Sequence, residues 1–253
     1  MGEHGRGVPL RLTSRERVLT AFAHEEPDRV PVWCGASVEF WEKAKRELRL
    51  DDEGLRQRVG DDFRRVFAEY AGPNPPLQHA EATCRTIFGV ERTGLGYGQP
   101  LEHPLKDATV GQVHDFPWPD PAWMDVSKLK AQAEAYGEEY AILGGDWSPF
   151  WHDLIDLLGM ENMYLKMLEQ PELVDAVIQH LVDFYAAVSQ RIFDAAADAL
   201  DIFFLGNDFG AQTGPLLSPA LFERFMLPHL ARLIDLGHAY GLKVQLHCCG
   251  GFA

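Results

Sequence analysis

His247 and Cys249 are two side chains whose types and spacing could hold a metal ion. They follow Lys243-Val244-Gln245-Leu246, a run that predicts a β-strand, and alternate residues of a strand point to the same face. An imidazole nitrogen and a thiolate sulfur are ligands that zinc prefers. The sequence therefore predicts half of a zinc site at the end of this strand. The alternative is a buried cysteine beside a hydrogen-bonded core histidine.

Two earlier apolar runs also end in residues that could do chemistry. Asp208 follows the run 201–205, and Asp146 and Trp147 follow a shorter run and two glycines. Residues at the carboxyl ends of parallel barrel strands line the active site. We expect Asp208 to lie beside His247 as a ligand, an orienting group or an acid–base catalyst, and Asp146 and Trp147 to line a pocket. A turn or capping role for both aspartates is the alternative.

Helical periodicity alternates with apolar runs along much of the chain. Thr13 and Glu16 form a predicted capping box before a first helix, Pro171 opens the longest helix, and Ser218 caps a late one. The predicted strands include 30–34, 141–143, 201–205 and 243–246. Alternating strands and helices indicate βαβ units and a parallel sheet. We therefore expect an α/β fold of the (βα)8 TIM-barrel type, with about five of the eight βα units present in one domain spanning residues 1–253.

The chain departs from a complete barrel in two places. Residues 72–125 are rich in proline, glycine and aromatic residues with weak periodicity, which predicts a long insertion that wraps the core. The last predicted strand has no helix after it, so its edge and apolar flank would be uncovered. We expect roughly three βα units, on the order of 90 residues, to be missing at the C-terminal side. A chain of this kind could also be a non-catalytic fragment.

Composition and charge limit the classes of partner. The formal net charge of −15 would repel nucleic acid and anionic membranes, so neither is expected as a partner. Four cysteines without regular spacing, and no apolar segment behind the polar start, argue against secretion and a disulfide framework. We expect a cytoplasmic protein.

Several motifs resemble those of the uroporphyrinogen decarboxylase superfamily, in order and over nearly the whole chain. They are Ser14-Arg15-Glu16-Arg17-Val18, Glu26-Pro27-Asp28-Arg29-Val30-Pro31-Val32, Gly60-Asp61-Asp62-Phe63-Arg64, His103-Pro104-Leu105, Pro117-Trp118-Pro119-Asp120-Pro121, Asp208-Phe209-Gly210-Ala211-Gln212 with Ser218-Pro219, and His247-Cys248-Cys249-Gly250. The resemblance implies a (βα)8 barrel and one of two chemistries. One branch decarboxylates uroporphyrinogen III without a cofactor, and the other uses zinc to activate a thiol that attacks the methyl group of a corrinoid protein.

The resemblance favours the methyltransferase branch. The arginine-rich motif that holds acidic arms in the decarboxylase is absent, because the segment after Pro31 reads Trp33-Cys34-Gly35-Ala36-Ser37. The resemblance implies Zn²⁺ bound by His247 and Cys249, with a further cysteine expected beyond the end of this chain. It also implies a methyl-cobalamin carried by a partner corrinoid protein, and a small thiol or methylated substrate. We expect Asp208 to be catalytic and Gln212, with Asp146 and Trp147, to bind substrate; decarboxylation in porphyrin biosynthesis is the alternative.

Overall fold

A computed structural model describes residues 11–73, 83–93 and 98–251 of the chain. These described residues form ten α-helices, two short 3-10 helices (Pro121–Trp123 and Ala197–Ala199) and ten strands. The helices are α1 (Ser14–Phe22), α2 (Val38–Leu48), α3 (Asp52–Val59), α4 (Val110–His114), α5 (Leu129–Glu134), α6 (Phe150–Leu158), α7 (Met160–Glu169), α8 (Pro171–Ala196), α9 (Pro219–Phe225) and α10 (Leu227–Ala239). The strands are β1 (Phe63–Arg65), β2 (Glu69–Tyr70), β3 (Thr83–Arg85), β4 (Glu91–Thr93), β5 (Met124–Asp125), β6 (Ala141–Gly144), β7 (Ile202–Gly206), β8 (Gly210–Ala211), β9 (Gly214–Pro215) and β10 (Lys243–His247).

Four parallel strands form the central sheet in the order β1-β6-β7-β10. Helices α6 to α8 connect β6 to β7, and α9 and α10 connect β7 to β10. Among the described residues, three antiparallel pairs lie outside this sheet: β2 with β5, β3 with β4, and β8 with β9. Parallel strands joined by helices confirm the predicted α/β fold of the barrel type.

The two faces of the sheet pack against different partners. Phe203 and Leu205 of β7 join the large apolar core that α6, α8 and α10 complete. Phe204 points the other way, toward Phe63 and Leu143, and this second face is the lumen side of the sheet. Although α8 is 26 residues long, no helix in the described part of the chain has both the length and the apolar character that crossing a membrane requires.

Asp62 is the centre of a buried ionic network at the amino end of β1. Its fully buried carboxylate accepts hydrogen bonds of 2.7 Å from the guanidinium groups of Arg17 and Arg29, from the Ser14 hydroxyl and from the Val32 N–H. Burial opposes the charged form, but these donors outweigh it and lower the pKa of the Asp62 carboxyl. The network therefore attaches α1 and the segment after it to the sheet.

A second ion pair attaches α1 to β7. Arg15 donates to Asp201 Oδ1 from Nε at 3.0 Å and from Nη2 at 2.8 Å. The other oxygen of Asp201 accepts the Ile142 N–H at 3.0 Å. One carboxylate thus joins the first helix to the amino ends of two neighbouring strands.

The predicted strand at residues 30–34 is wrong, because this segment has no regular secondary structure. Pro31 has no N–H to donate, and the Val32 N–H is taken by the Asp62 carboxylate instead of a neighbouring strand. The first strand of the sheet is β1, which the sequence pattern did not identify. Residue Val30 is 80% exposed, as expected for a segment outside the sheet.

Candidate metal site at the carboxyl ends of the strands

The segments that follow β7 and β10 lie side by side. The Asn207 N–H donates to the His247 carbonyl oxygen at 3.1 Å, and the Cys249 N–H donates to Asp208 Oδ1 at 2.8 Å. Asn207 is fully buried: its side-chain oxygen accepts the Trp151 N–H at 3.0 Å, which anchors the segment to the start of α6. These contacts bring the predicted site residues Asp208, His247 and Cys249 to one place.

Three potential ligand atoms converge there. The sulfur of Cys249 lies 3.3 Å from Nε2 of His247, and the same nitrogen lies 3.6 Å from Oδ1 of Asp208. One ligand atom from each residue lies within 4.8 Å of the others. The side chains of His247 and Asp208 are 30% and 33% exposed, so small molecules can reach the cluster.

The turn after His247 has a shape that directs the two neighbouring cysteines apart. Cys248 packs against the apolar core, and its sulfur accepts the Phe209 N–H at 3.3 Å. Gly250 has a φ of +78°, and a Cβ there would lie 2.6 Å from the Ala211 carbonyl oxygen. The next residue, Gly251, donates its N–H to that oxygen at 2.8 Å. Glycine is therefore required for the turn to approach β8 so closely.

Burial and a neighbouring carboxylate affect the Cys249 thiol. Burial, followed by the hydrogen bond and the negative charge of Asp208, raises the pKa of Cys249. The thiol is therefore protonated at neutral pH in the absence of a cation, and binding of a divalent cation would release this proton.

His152 is a site residue that the sequence did not single out. It lies in the first turn of α6, where its Nε2 accepts the Asp208 N–H at 3.3 Å and lies 3.6 Å from Asp208 Oδ2. Burial lowers the pKa of His152, against the opposing charge of Asp208, and the imidazole is neutral at pH 7. The sequence contains one signal that could have identified His152: it is a histidine in the first turn of the helix that directly follows the strand end Gly144-Gly145-Asp146-Trp147.

Trp147 lies on the lumen side, across the end of β7. Its indole N–H donates to the Gly206 carbonyl oxygen at 2.8 Å, and its ring meets the Phe204 ring edge-on at 5.4 Å. A Cβ at Gly206 would lie 1.7 Å from the indole nitrogen, so only glycine fits under this ring. Trp147 also lines a cavity of about 650 Å³.

Asp146 and Gln212 occupy different surroundings. The carboxylate of Asp146 accepts the Ser148 N–H at 3.0 Å, and burial raises its pKa against the opposing effects of this bond and of the Arg65 charge. Gln212 is exposed in the turn between β8 and β9. The structure thus gives Asp146 a turn-stabilising contact, and the substrate-binding roles of both residues stay predictions.

The donor set of Asp208, His247 and Cys249 fits zinc. Ligand atoms around a tetrahedral zinc lie roughly 3.3–3.8 Å apart, given Zn–N and Zn–S distances of about 2.0 and 2.3 Å. The 3.3 Å separation between Cys249 Sγ and His247 Nε2 and the 3.6 Å separation between that nitrogen and Asp208 Oδ1 fall within this range, and the set as a whole lies within 4.8 Å. Three protein ligands of mixed nitrogen, sulfur and oxygen type would leave a fourth position for a substrate, as in catalytic zinc sites.

Comparisons with curated proteins identify two relatives of this chain. The chain is 23% identical over 122 residues to the methylcobamide:CoM methyltransferase MtbA of Methanosarcina acetivorans, covering 48% of this chain and 34% of the relative. It is 22% identical over 256 residues to MtbA of Methanosarcina mazei, covering 94% of this chain and 70% of the relative. The chain therefore spans about a third of the length of one curated relative and 70% of the other.

A solved structure and a family model extend the comparison. A methyltransferase from Methanosarcina mazei superposes with a TM-score of 0.56 at 18% identity, over 94% of this chain and 70% of the other, which supports the fold. Residues 126–253, half of the chain, match the model of the family uroporphyrinogen decarboxylase (URO-D). This half contains β6, β7, β10 and the whole candidate metal site. The chain belongs to the uroporphyrinogen decarboxylase family.

Proposed function

We propose that this protein is a zinc-dependent methyltransferase that moves a methyl group between a corrinoid protein and a thiol. The observation that supports the proposal most is the convergence of Asp208, His247 and Cys249 at the carboxyl ends of two neighbouring strands. Carboxyl strand ends are where barrel enzymes carry their chemistry. The names of the two curated relatives, both methylcobamide:CoM methyltransferases, point to the same reaction class.

His247 and Cys249 would hold the zinc, and Asp208 would be a third ligand or an orienting group. Bound zinc would lower the pKa of a substrate thiol, so that a nucleophilic thiolate forms at neutral pH. Asp208 already accepts the Cys249 N–H at 2.8 Å, and so it fixes the turn that carries the sulfur. The methyl group would come from methyl-cobalamin held by a partner corrinoid protein.

Aromatic side chains provide the walls of the reaction space. The His247 ring lies 5.5 Å from the Trp33 ring and 6.4 Å from the Phe204 ring, with the latter nearly parallel. Trp147 packs edge-on against Phe204 and extends this wall. An apolar wall excludes water, which strengthens electrostatic interactions at the reacting atoms and protects a reactive thiolate.

Zinc binding is the direct test. We expect the purified chain to retain zinc after dialysis, measured by plasma mass spectrometry, and to compete with a chromophoric chelator. His247→Ala and Cys249→Ser should weaken zinc binding by at least about 100-fold, because each removes a ligand. Cys248→Ser is the matched control: this sulfur faces the core and accepts the Phe209 N–H, so zinc affinity should be unchanged. Equal zinc content in all four proteins would refute the assignment.

Methyl transfer is the second measurement. We expect the chain to demethylate free methylcobalamin in the presence of a thiol, and the change in cobalamin absorbance measures this reaction. EDTA and the His247→Ala substitution should each abolish the activity. Release of CO2 from uroporphyrinogen in the presence of EDTA would support the decarboxylase alternative instead. Absence of a cooperative thermal transition would support the fragment alternative.

A further inference from the structure

Arg65 is a half-buried arginine with two buried hydrogen-bond donors that lack an acceptor within the described part of the chain. It ends β1 on the lumen face, and its guanidinium lies over three aromatic rings, at 4.5 Å from Phe67, 4.8 Å from Trp147 and 5.0 Å from Phe204. Its Nε and Nη2 atoms are buried and have no hydrogen-bond partner among the described residues. Burial lowers the pKa of Arg65 to about 10, so the side chain is cationic at neutral pH.

The neighbouring Arg64 shows what a structural arginine looks like in the same strand. Arg64 points to the opposite face, where its Nε and Nη2 donate to the two oxygens of Glu53 at 2.8 and 2.6 Å. Its Nη1 donates to the Phe63 carbonyl oxygen at 2.6 Å. Every nitrogen of Arg64 is thus used, whereas Arg65 keeps two donors unused at a considerable energetic cost.

The two unused donors lie on the same edge of the guanidinium. Nε and Nη2 form the side-on fork that can donate two parallel hydrogen bonds to the two oxygens of one carboxylate. The rings around Arg65 hold the guanidinium by cation–π contacts, which stabilise the charge but leave this buried edge without a hydrogen-bond acceptor from the described residues. Two parallel donors that no described residue pairs with therefore suit an anion that offers two oxygens in one plane, as a carboxylate does.

Space for such an anion is present beside Arg65. The cavity of about 650 Å³ is lined by Arg65, Phe67, Trp147, Trp33 and Cys34, among other residues, and its volume suits a small organic molecule. The Phe204 ring relates Arg65 to the candidate metal site. It lies 5.0 Å from the Arg65 guanidinium and 6.4 Å from the His247 ring, so the arginine and the histidine of the candidate metal site flank the same aromatic ring.

We propose that Arg65 binds the acidic group of the substrate, and that the substrate is a small thiol bearing a carboxylate. The thiol part of this inference rests on the function proposed above, whereas the carboxylate part rests on Arg65 alone. Arg65 is thereby a specificity-determining residue outside the zinc-binding cluster.

Calorimetric titration of the full chain with matched ligands tests the proposal. The ligands are 3-mercaptopropionate, the neutral 2-mercaptoethanol, the sulfonate 2-mercaptoethanesulfonate, and butyrate, which has a carboxylate but no thiol. We expect 3-mercaptopropionate to bind at least about tenfold more tightly than 2-mercaptoethanol, because one charge-assisted bidentate contact can provide an affinity difference of this size. Arg65→Met, which keeps the apolar packing between the rings, should remove this difference, and Arg65→Lys should restore only part of it.

Controls separate this proposal from the zinc proposal. Arg56→Met removes another arginine of the same cavity whose guanidinium already pairs with Asp61 at 2.9 Å, and the preference should persist. Zinc content should be the same in Arg65→Met and the unmodified chain. If butyrate binds through Arg65 but no zinc is found, the anion site stands and the methyltransferase proposal fails. Equal affinity for the acidic and neutral thiols, or tighter binding of the sulfonate than of the carboxylate, would overturn the assignment.

Discussion

Replacing Asp62 by asparagine tests whether the buried ionic network at the amino end of β1 holds the N-terminal segment in place. The side chain of Asp62 is fully buried, and that of Arg17 is only 2% exposed. An asparagine has the same shape but only one accepting oxygen, and its amide group would face donors from Arg17, Arg29 and Ser14. The variant therefore removes one of the two carboxylates that pair with the buried Arg17 guanidinium, and Asp28 remains as its counter-charge.

The expected loss is large for an isosteric change. Removing one partner of a buried ion pair costs about 3–5 kcal/mol of unfolding free energy when the other charge is left alone, and we expect the lower end of this range because Asp28 still pairs with Arg17. In a chain of this length this corresponds to a fall in melting temperature of roughly 10 °C. Asp61→Asn is the matched control: Asp61 is equally buried, but burial raises its pKa and its partner Arg56 is 32% exposed and can be solvated by water, so the loss should be smaller than that of Asp62→Asn. Urea titrations followed by circular dichroism measure both variants.

The pH dependence of this loss has a definite sign. The network lowers the pKa of Asp62, so its stabilising effect is complete above the unfolded value of about 3.9 and is lost as the pH falls through the lower folded value. The difference between the unmodified chain and Asp62→Asn should be constant from about pH 8 to pH 5 and shrink below about pH 4. Equal stability of Asp62→Asn and Asp61→Asn, or a difference that grows on acidification, would refute the reasoning.

Three shorter predictions concern other parts of the chain. Gly206→Ala would place a Cβ 1.7 Å from the Trp147 nitrogen, so we expect a loss of about 1–3 kcal/mol and an altered near-ultraviolet circular dichroism spectrum; an unchanged spectrum would contradict this. Gly250→Ala combines a φ of +78° with a Cβ 2.6 Å from the Ala211 oxygen, and we expect at least about tenfold weaker zinc binding in chelator competition. Burial raises the pKa of Asp153 to about 8, so its stabilising effect is complete below about pH 3.9 and lost as the pH rises through about 8. Asp153→Asn should therefore flatten the decline of unfolding free energy over this range, measured by urea titration at several pH values.

Helix boundaries were predictable because the signals that set them are local. The Thr13 and Glu16 capping box is present in the structure, and the Ser37 hydroxyl accepts the Phe40 N–H at the start of α2. Pro171 opens α8 as predicted. A helix end depends on a few neighbouring side chains, so the sequence around it contains most of the information.

Strand β1 was not predictable because its stabilising partners are distant in sequence. Two of its three residues are arginines, which obscures the apolar pattern of a buried strand. Arg64 is neutralised by Glu53 on α3, and Arg65 lies over rings that belong to the loop after β6 and to β7. Local sequence contains none of this information.

The candidate site also contains residues that the local sequence predicts and one residue that it does not. His247 and Cys249 could be placed on one face from the two-residue period of a strand, and Asp208 from its position at the end of the preceding strand. His152 approaches Asp208 only because α6 folds back over the ends of the strands, and this depends on packing that no local pattern encodes.

The motifs that resemble the family perform two different tasks, according to which end of the sheet they occupy. Arg17 and Asp62 lie at the amino ends, where they form ion pairs that fasten α1 to the strands. Asp208, His247 and Cys249 lie at the carboxyl ends, where they converge on one another. In a barrel the amino end serves stability and the carboxyl end serves chemistry, so a shared motif does not by itself imply a shared catalytic role. It follows that Asp62→Asn should lower stability and leave zinc affinity unchanged in the folded protein. Cys249→Ser should weaken zinc binding and leave the stability of the metal-free protein unchanged.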